Sequence, residues 1–503
     1  MCDYLKNLKP SYCFDDVLLL PKYSTIKSRK EVDLTCELSA EPDKRTLKLK
    51  SPLISSPMDT VSGSEMAIAM ALNGGLGIIH RFMSEEEQLK QVEEVKRYVQ
   101  YIFKDPRGLY DTDTIGKLKK RLTTKPIKTF CVLNKNHKLE GIITNRDCAN
   151  IDSLDDNICI TEIMTPFSKL ITIKIKREED IECGYNGGYE RYLTEARELM
   201  NKYKIEKIPI IFTNNELYGI ITERSVRYYF DNKQKATLDE YGSLCCGIAI
   251  GVSNVNWKHI DNLYEFVDLF CIDVANGHNS NCIEMVKELR SRYSDIIIMA
   301  GNIATGEGLP ALANAGVDCV RIGIGNGSIC STRLQTGVGY GQFSAVNEIF
   351  ETKIANGLTT KLVCDGGSLG KIGNKMKALA SGADAVMLGR SLASCIESPG
   401  IIINRNGKRV KYFRGMASKM ASMSKTGDTA VKGTAEGVDG VVEVKGSVAE
   451  TIDEICGGLR SGMSYQGCRT LEELNKLRAN NDIMWGLSTA IGLSETGIRI
   501  KTF

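Results

Sequence analysis

CVRIGIGNGSICST (residues 319–332) opens as an apolar run and ends as a glycine-rich loop around a single cysteine, Cys330. A short, continuously apolar run of this kind is a strand buried on both faces. The glycines behind it admit two functional readings. They let backbone amides approach an anion such as a phosphate, and they let a loop carrying a nucleophile move. A plainer reading is a strand-to-helix turn with a buried thiol as core filler. The surrounding sequence decides among these.

The same form recurs. From about residue 237 onward, CCGIAIGV, LFCIDVAN, DIIIMAGN, CVRIGIGN, KLVCDGG and AVMLGR alternate with amphipathic segments such as NCIEMVKELRSRY. PLISSPMDT and GGLGIIHR repeat the form before residue 100. Apolar strands alternating with helices predict a parallel sheet covered by helices. Polar residues and glycines gather where each strand ends, which is the ligand edge of a β/α barrel and also of a doubly wound sheet.

Between the two blocks a different repeat appears. KLEGIITNRD (138–147) returns as ELYGIITERS (216–225), each behind an apolar strand, TFCVLN or IPIIF. This predicts a duplicated strand–turn–strand–helix unit inserted into the larger fold. REEDIECGYNGGYE (177–190) reads as a loop insertion in the second copy, and EEEQ (85–88) as a solvated helix start.

Composition narrows the function. A formal charge of +3 over 503 residues makes no case for a nucleic-acid partner. No apolar run reaches the roughly 18 residues of a membrane span. The polar opening MCDYLKNLKP is not expected to be a signal peptide, and the closing KTF is not a peroxisomal address, so a cytoplasmic protein is expected. Seventeen cysteines without a C-x-x-C pair suit a reducing compartment. Four histidines without H-E-x-x-H leave little for metal hydrolysis, and the P-loop pattern is missing.

Taken in order, FDDVLLLPKYSTIKSRKEVDL (14–34), ISSPMDTV (54–61), DVANGH (273–278), MAGNIATGEG (299–308), the cysteine loop, VCDGG (363–367), VMLGR (386–390) and FRGMAS (413–418) resemble the IMP dehydrogenase/GMP reductase family over nearly the whole chain. The duplicated insert resembles a tandem pair of CBS modules. The resemblance implies an α/β fold, a (β/α)8 TIM barrel with an inserted CBS pair. The barrel would occupy 1–100 and 237–503, the CBS pair 101–236, and an active-site flap about 419–445.

It also implies roles. Cys330 is the expected nucleophile, adding to purine C2 of a nucleoside monophosphate while hydride passes between C2 and a nicotinamide. Ser328, Gly366, Gly367, Gly389 and Arg390 are expected to receive the phosphate, and Asp365 the ribose hydroxyls. Ser56 and Met58 would line the nucleotide pocket, with Met416 and Ala417 offering amides to the base. Asp273 is expected to face the nicotinamide ribose, with Asn276, Gly323 and Gly325 beside it. The carbonyls of Gly325, Gly327 and Cys330 are expected around a potassium ion, although Asn326 departs from the family pattern there. In the insert, Asp147 would hold the ribose of a regulatory purine nucleotide, a position where the second copy has Ser225. Family barrels usually form tetramers that CBS pairs join into octamers. Taken singly, several residues have plainer readings: Asp365 and Thr332 as helix caps, Ser56 and Met58 as core, Asp273 as a strand end.

Two reactions share the covalent intermediate. The dehydrogenase hydrolyses it with an Arg-Tyr dyad on the flap, and KMASMSKTGDTAVKGTA (419–435) contains neither residue. The reductase handles ammonia with a Thr two residues after the Cys and a Glu in the flap's return, positions held here by Thr332 and Glu436. The expectation is therefore GMP reductase, converting GMP to IMP and ammonia with NADPH. NAD-dependent IMP dehydrogenase is the alternative, and a catalytically silent nucleotide sensor a third reading.

Overall fold

In the computed structural model the described residues are 8–41, 44–98, 102–103, 108–124, 129–144, 146–148, 151–176, 188–232, 234–240, 242–418, 421, 434–489 and 492. The chain divides into two compact units, 1–98 with 235–239 and 244–503, and 99–234 with 240–243. The expected insert bounds are 101 and 236; the second unit begins at 99 and the chain leaves it at 234, returning for 240–243. Among the described residues no helix is long and apolar enough to cross a membrane.

Every apolar run singled out in the first unit is a strand of one sheet: β1 (Leu53–Ser55), β2 (Gly77–Ile79), β3 (Cys246–Ile250), β4 (Leu269–Asp273), β5 (Ile297–Ile303), β6 (Cys319–Ile322), β7 (Lys361–Asp365) and β8 (Ala385–Leu388). The order runs β1-β8-β7-β6-β5-β4-β3-β2 with every pairing parallel. The ring closes where Leu76 donates to the Leu53 carbonyl at 3.0 Å and Ser55 to the Leu76 carbonyl at 2.9 Å. Helices follow the strands, among them α1 (Ser64–Leu72) and α2 (Glu85–Tyr98) after β1 and β2. This is the α/β barrel that the sequence predicts. All residues of β3, β6 and β8 are buried, because each strand carries the barrel interior on one side and helices on the other.

EEEQ does open α2, but Gln88 is not solvated. It is buried, its Nε2 donating to the carbonyls of His80 and Ala249, and its Oε1 lies 2.9 Å from His259 Nε2. Its polar group closes backbone acceptors left where β2 and β3 end, a job that local charge patterning does not reveal.

The last turn of α2 buries Lys96 between two carboxylates, Asp239 at 2.8 Å and Asp268 at 2.9 Å. Burial alone would lower the ammonium's pKa, yet the two carboxylates hold it well above the ordinary lysine value.

The second unit contains two four-stranded sheets of like construction. In one, Leu109–Tyr110, Phe130–Leu133, Leu139–Ile143 and Thr165–Pro166 pair in succession as parallel, antiparallel, antiparallel. In the other, Ile173–Ile175, Lys207–Phe212, Leu217–Thr222 and Ile102–Phe103 pair the same way. Both GIIT strands occupy the third place, so the sequence repeat is a structural repeat. The halves join through Cys131, Leu139 and Ile142 packed with Ile211 and Ile220. Residues 177–187 of the expected loop insertion lie outside the described residues, and a helix is already under way at Gly188–Tyr203.

Candidate active site

The ends of the barrel strands surround a cavity of about 460 Å³, within the range of small-ligand sites. Cys330 lies on its wall and is exposed, so the thiol is not core filler. Its Sγ is 3.1 Å from Thr332 Oγ1. The short helix α3 (Thr332–Thr336) starts after Ser331, which is its N-cap. The capping reading of Thr332 is thus replaced: the residue is the first of the helix, with its hydroxyl beside the thiol.

Ser56, Met58, Asp273, Gly323, Gly325, Gly327, Ser328, Asp365, Gly366, Gly367, Gly389, Arg390, Met416, Ala417 and Glu436 line the same cavity. Asn276 does not. Its side-chain oxygen accepts the His278 N–H at 3.1 Å and its carbonyl accepts from Asn279, so it shapes the turn ahead of the next helix. Gly323 and Gly366 show why glycine stands at the strand ends. Their φ angles are +140° and +84°, and a Cβ on Gly323 would fall 2.4 Å from the Asp365 carbonyl.

The sequence reading missed the charges beneath the cavity. Arg321, in the middle of β6, is buried and donates to Asp273 at 2.7 Å and to Asp365 at 2.8 Å. Asn302 adds a bond to the same Asp365 oxygen at 3.0 Å. Asp365 therefore caps no helix; its Oδ2 is held from below. Arg81 also lines the cavity, 3.8 Å from Asp273. A lone arginine inside CVRIG was the available signal, since an unpaired charge does not sit in a buried strand.

Asn326 and Gln342 tie β6 to β7. Asn326 donates to the Asp365 carbonyl at 3.0 Å, and Gln342 to the Ile322 carbonyl at 2.7 Å. A hairpin of β9 (Lys408–Arg414) and β10 (Asp439–Glu443) rises beside the cavity, pinned by Arg414 Nε to Asp59 at 2.8 Å. The flap residues 419–420 and 422–433 lie outside the described residues. Among the described residues no cluster of three His, Cys, Asp or Glu side chains could hold a metal ion.

An exposed thiol and paired acids at the strand ends of a β/α barrel define a barrel enzyme with a nucleotide-sized cavity. Residues 11–498 match the model of the IMP dehydrogenase / GMP reductase domain, and the chain belongs to this family of oxidoreductases of purine metabolism. It is 37% identical to the inosine-5'-monophosphate dehydrogenase of Nitrosopumilus maritimus, over 93% of this chain and 95% of that one. Identity to the Bacillus subtilis enzyme of the same name is 38%, over 94% and 93%. Among solved structures, a GMP reductase variant from Trypanosoma brucei in complex with guanosine 5'-monophosphate superposes with a TM-score of 0.84 at 35% identity, covering 100% of both chains. The same organism's GMP reductase in complex with guanosine 5'-triphosphate gives 0.74 at 32% identity, covering 97% of this chain and 100% of that one.

Proposed function

We propose that the protein is a GMP reductase, releasing the 2-amino group of GMP as ammonia and delivering a hydride to C2 to give IMP. The observation that carries this reading is the Thr332 hydroxyl 3.1 Å from the Cys330 thiol, with Glu436 on the same cavity wall. The flap sequence without Arg or Tyr supports it. Family members use a nicotinamide nucleotide, and this one is proposed to be NADPH.

Cys330 as thiolate bonds to C2, and the C2–N2 bond breaks once the amine carries an extra proton. Thr332 and Glu436 handle that proton, the hydroxyl bonding to the departing amine and the carboxyl exchanging protons with it. NADPH, bordered by Asp273, Gly323 and Gly325, would supply the hydride that replaces the amine at C2, with the Cys330 thiolate as the leaving group. Overall, GMP, NADPH and two protons give IMP, NADP and ammonium.

Ser328, Gly366, Gly367, Gly389 and Arg390 would receive the phosphate through amides and a guanidinium. Asp365 offers Oδ1 to the ribose, because Arg321 and Asn302 both engage Oδ2. Ser56, Met58, Met416 and Ala417 would bracket the base. Asp273, Gly323 and Gly325 would border the cofactor.

A potassium ion is proposed at the carbonyls of Gly325, Gly327 and Cys330, a neutral all-oxygen donor set in which the Gly327 carbonyl also accepts the Cys330 N–H at 3.1 Å. The pairing of Cys330 with Gly437 uses the Ile329 carbonyl and the Ser331 N–H, and leaves the Cys330 carbonyl out. The second unit is proposed to be a CBS pair that binds a regulatory purine nucleotide at Asp147.

A second reading, IMP dehydrogenase with NAD, is favoured by the names of the relatives that are 37% and 38% identical. Purified protein supplied with GMP and NADPH, or with IMP and NAD, separates the two by the absorbance of the reduced nicotinamide. NADPH consumption with ammonia release is expected; sustained XMP formation would overturn the reductase.

A further inference from the structure

The thiol segment does not stand alone in the wall of the cavity. The hairpin of β9 and β10 continues past its regular strands, with Gly415 donating to the Val438 carbonyl at 3.1 Å and Glu436 to the Ala417 carbonyl at 3.1 Å. The outer edge of this continuation takes up the cysteine. Val438 donates to the Ile329 carbonyl at 3.0 Å, Ser331 donates to the Glu436 carbonyl at 2.8 Å, and Cys330 faces Gly437 as an antiparallel pair. The result is a three-stranded ribbon, 415–417, 436–438 and 329–331, all of whose members except Val438 and Ser331 line the cavity. Its middle strand also carries Glu436.

Glycine makes the ribbon possible. A Cβ on Gly437 would lie 3.1 Å from the Ser418 nitrogen and 3.2 Å from the Gly415 Cα. Both neighbours are backbone and cannot step aside as a flexible side chain would.

We infer that residues 436–438 are a positioning strand: the Val438 N–H and the bare Gly437 fix where the Cys330 thiol sits, so that thiol and acid are delivered together. The inference rests on the thiol chemistry proposed above, but not on its direction. Val438 touches no reacting atom and acts through Ile329 and Cys330.

Val438→Pro deletes the N–H that holds Ile329, while Val438→Ala keeps it. Hydrogen–deuterium exchange of the peptide around Cys330, with steady-state kinetics in whichever direction the enzyme runs, tests the idea. The proline variant is expected to exchange about tenfold faster there, as a freed edge segment does. Its kcat should fall about a hundredfold, the cost of misplacing a reacting group by about an ångström. KM for the purine nucleotide should hold within about threefold, because the residues assigned to its phosphate and ribose, Asp365, Gly366, Gly367, Gly389 and Arg390, lie outside the ribbon. The alanine variant should match the wild type in all three. If Val438→Pro does not fold, Gly437→Ala carries the same expectations. Wild-type exchange or wild-type turnover in the folded variant overturns the inference. Oxidation of IMP in place of reduction of GMP would sink the reductase reading and leave the exchange result to stand or fall alone.

Discussion

Arg321 Nη2 lies 2.8 Å from Asp365 Oδ2, and Nη1 of the same buried guanidinium lies 2.7 Å from Asp273 Oδ1. One cation thus serves two carboxylates that the proposed function assigns to different ligands. Replacing Arg321 by Gln leaves Asp365 with Asn302 and Asp273 with only the longer Arg81 contact, a change that costs about 3–5 kcal/mol when a buried pair is broken. Denaturant unfolding should show that loss, and KM should rise for both nucleotides although Arg321 is not assigned to either ribose. A rise confined to one nucleotide would mean that the two carboxylates are held independently.

Cys330→Ala should lower turnover by several orders of magnitude while GMP still binds, measured by calorimetry. The exposed thiol supports neither the core nor the barrel closure, so the melting temperature should hold. A tenth of the activity surviving would move the chemistry away from this thiol.

Glu436→Gln keeps the size of the side chain and removes its proton exchange. Ammonia release should slow by about a hundredfold or more, the usual worth of a positioned acid–base group, with KM little changed. Thr332→Val should act on the same step. Rapid-quench measurement of ammonia against NADPH consumption separates this step from hydride transfer.

His80 gives a pH signature. Burial pushes its imidazole from 6.5 down to about 4, with Asp59 opposing and Arg414 assisting. The folded value lies below the unfolded one, so the unfolded chain binds the extra proton first as pH falls. Stability should therefore decline between pH 6.5 and about 4, by about 3 kcal/mol from this group alone. His80→Asn should flatten that window relative to the wild type in denaturant titrations. A parallel pair of curves would place the pH sensitivity elsewhere.

In the insert, Asp147 Oδ2 accepts from the Thr144 N–H at 2.6 Å and from its hydroxyl at 2.8 Å, while in the second copy Ser225 and Thr222 share a neutral hydroxyl bond of 2.6 Å. Only the first copy has a carboxylate at this position, and a carboxylate makes charge-assisted bonds to hydroxyls. One principal nucleotide site is expected, with activity coupling of roughly 1–3 kcal/mol. Calorimetry with ATP and GTP on Asp147→Ala should show that site lost; unchanged tight binding would put it elsewhere.

The barrel was legible because the buried parallel strands are apolar-rich runs, interrupted in β6 by Arg321, that end in glycine or a polar residue, a local pattern. The cavity wall was legible where a loop or strand end carries it, as at Cys330, Asp365 and Glu436. Arg321 escaped because its meaning depends on two carboxylates from other strands, 44 and 48 residues away in sequence. Asn276 stands off the cavity wall for the converse reason: a motif places a residue near a site, but the turn decides which way its side chain is spent. Gln88, read as solvated among three glutamates, shows the same limit, since the carbonyls it satisfies come from His80, just past β2, and from Ala249 in β3.

Lys96 stands near the end of α2, and Asp239 within the short stretch on which the chain returns. Their ion pair, shared with Asp268, brings the outgoing and incoming chain to one point inside the barrel unit. A tract whose two ends are already joined costs its host almost nothing in loop closure, whatever its length, since that cost grows only with the logarithm of the residues enclosed. The barrel is in this sense a socket. Domains of other sizes and other ligands could be spliced at the same point, and their removal would leave the catalytic ring with its ends already tied.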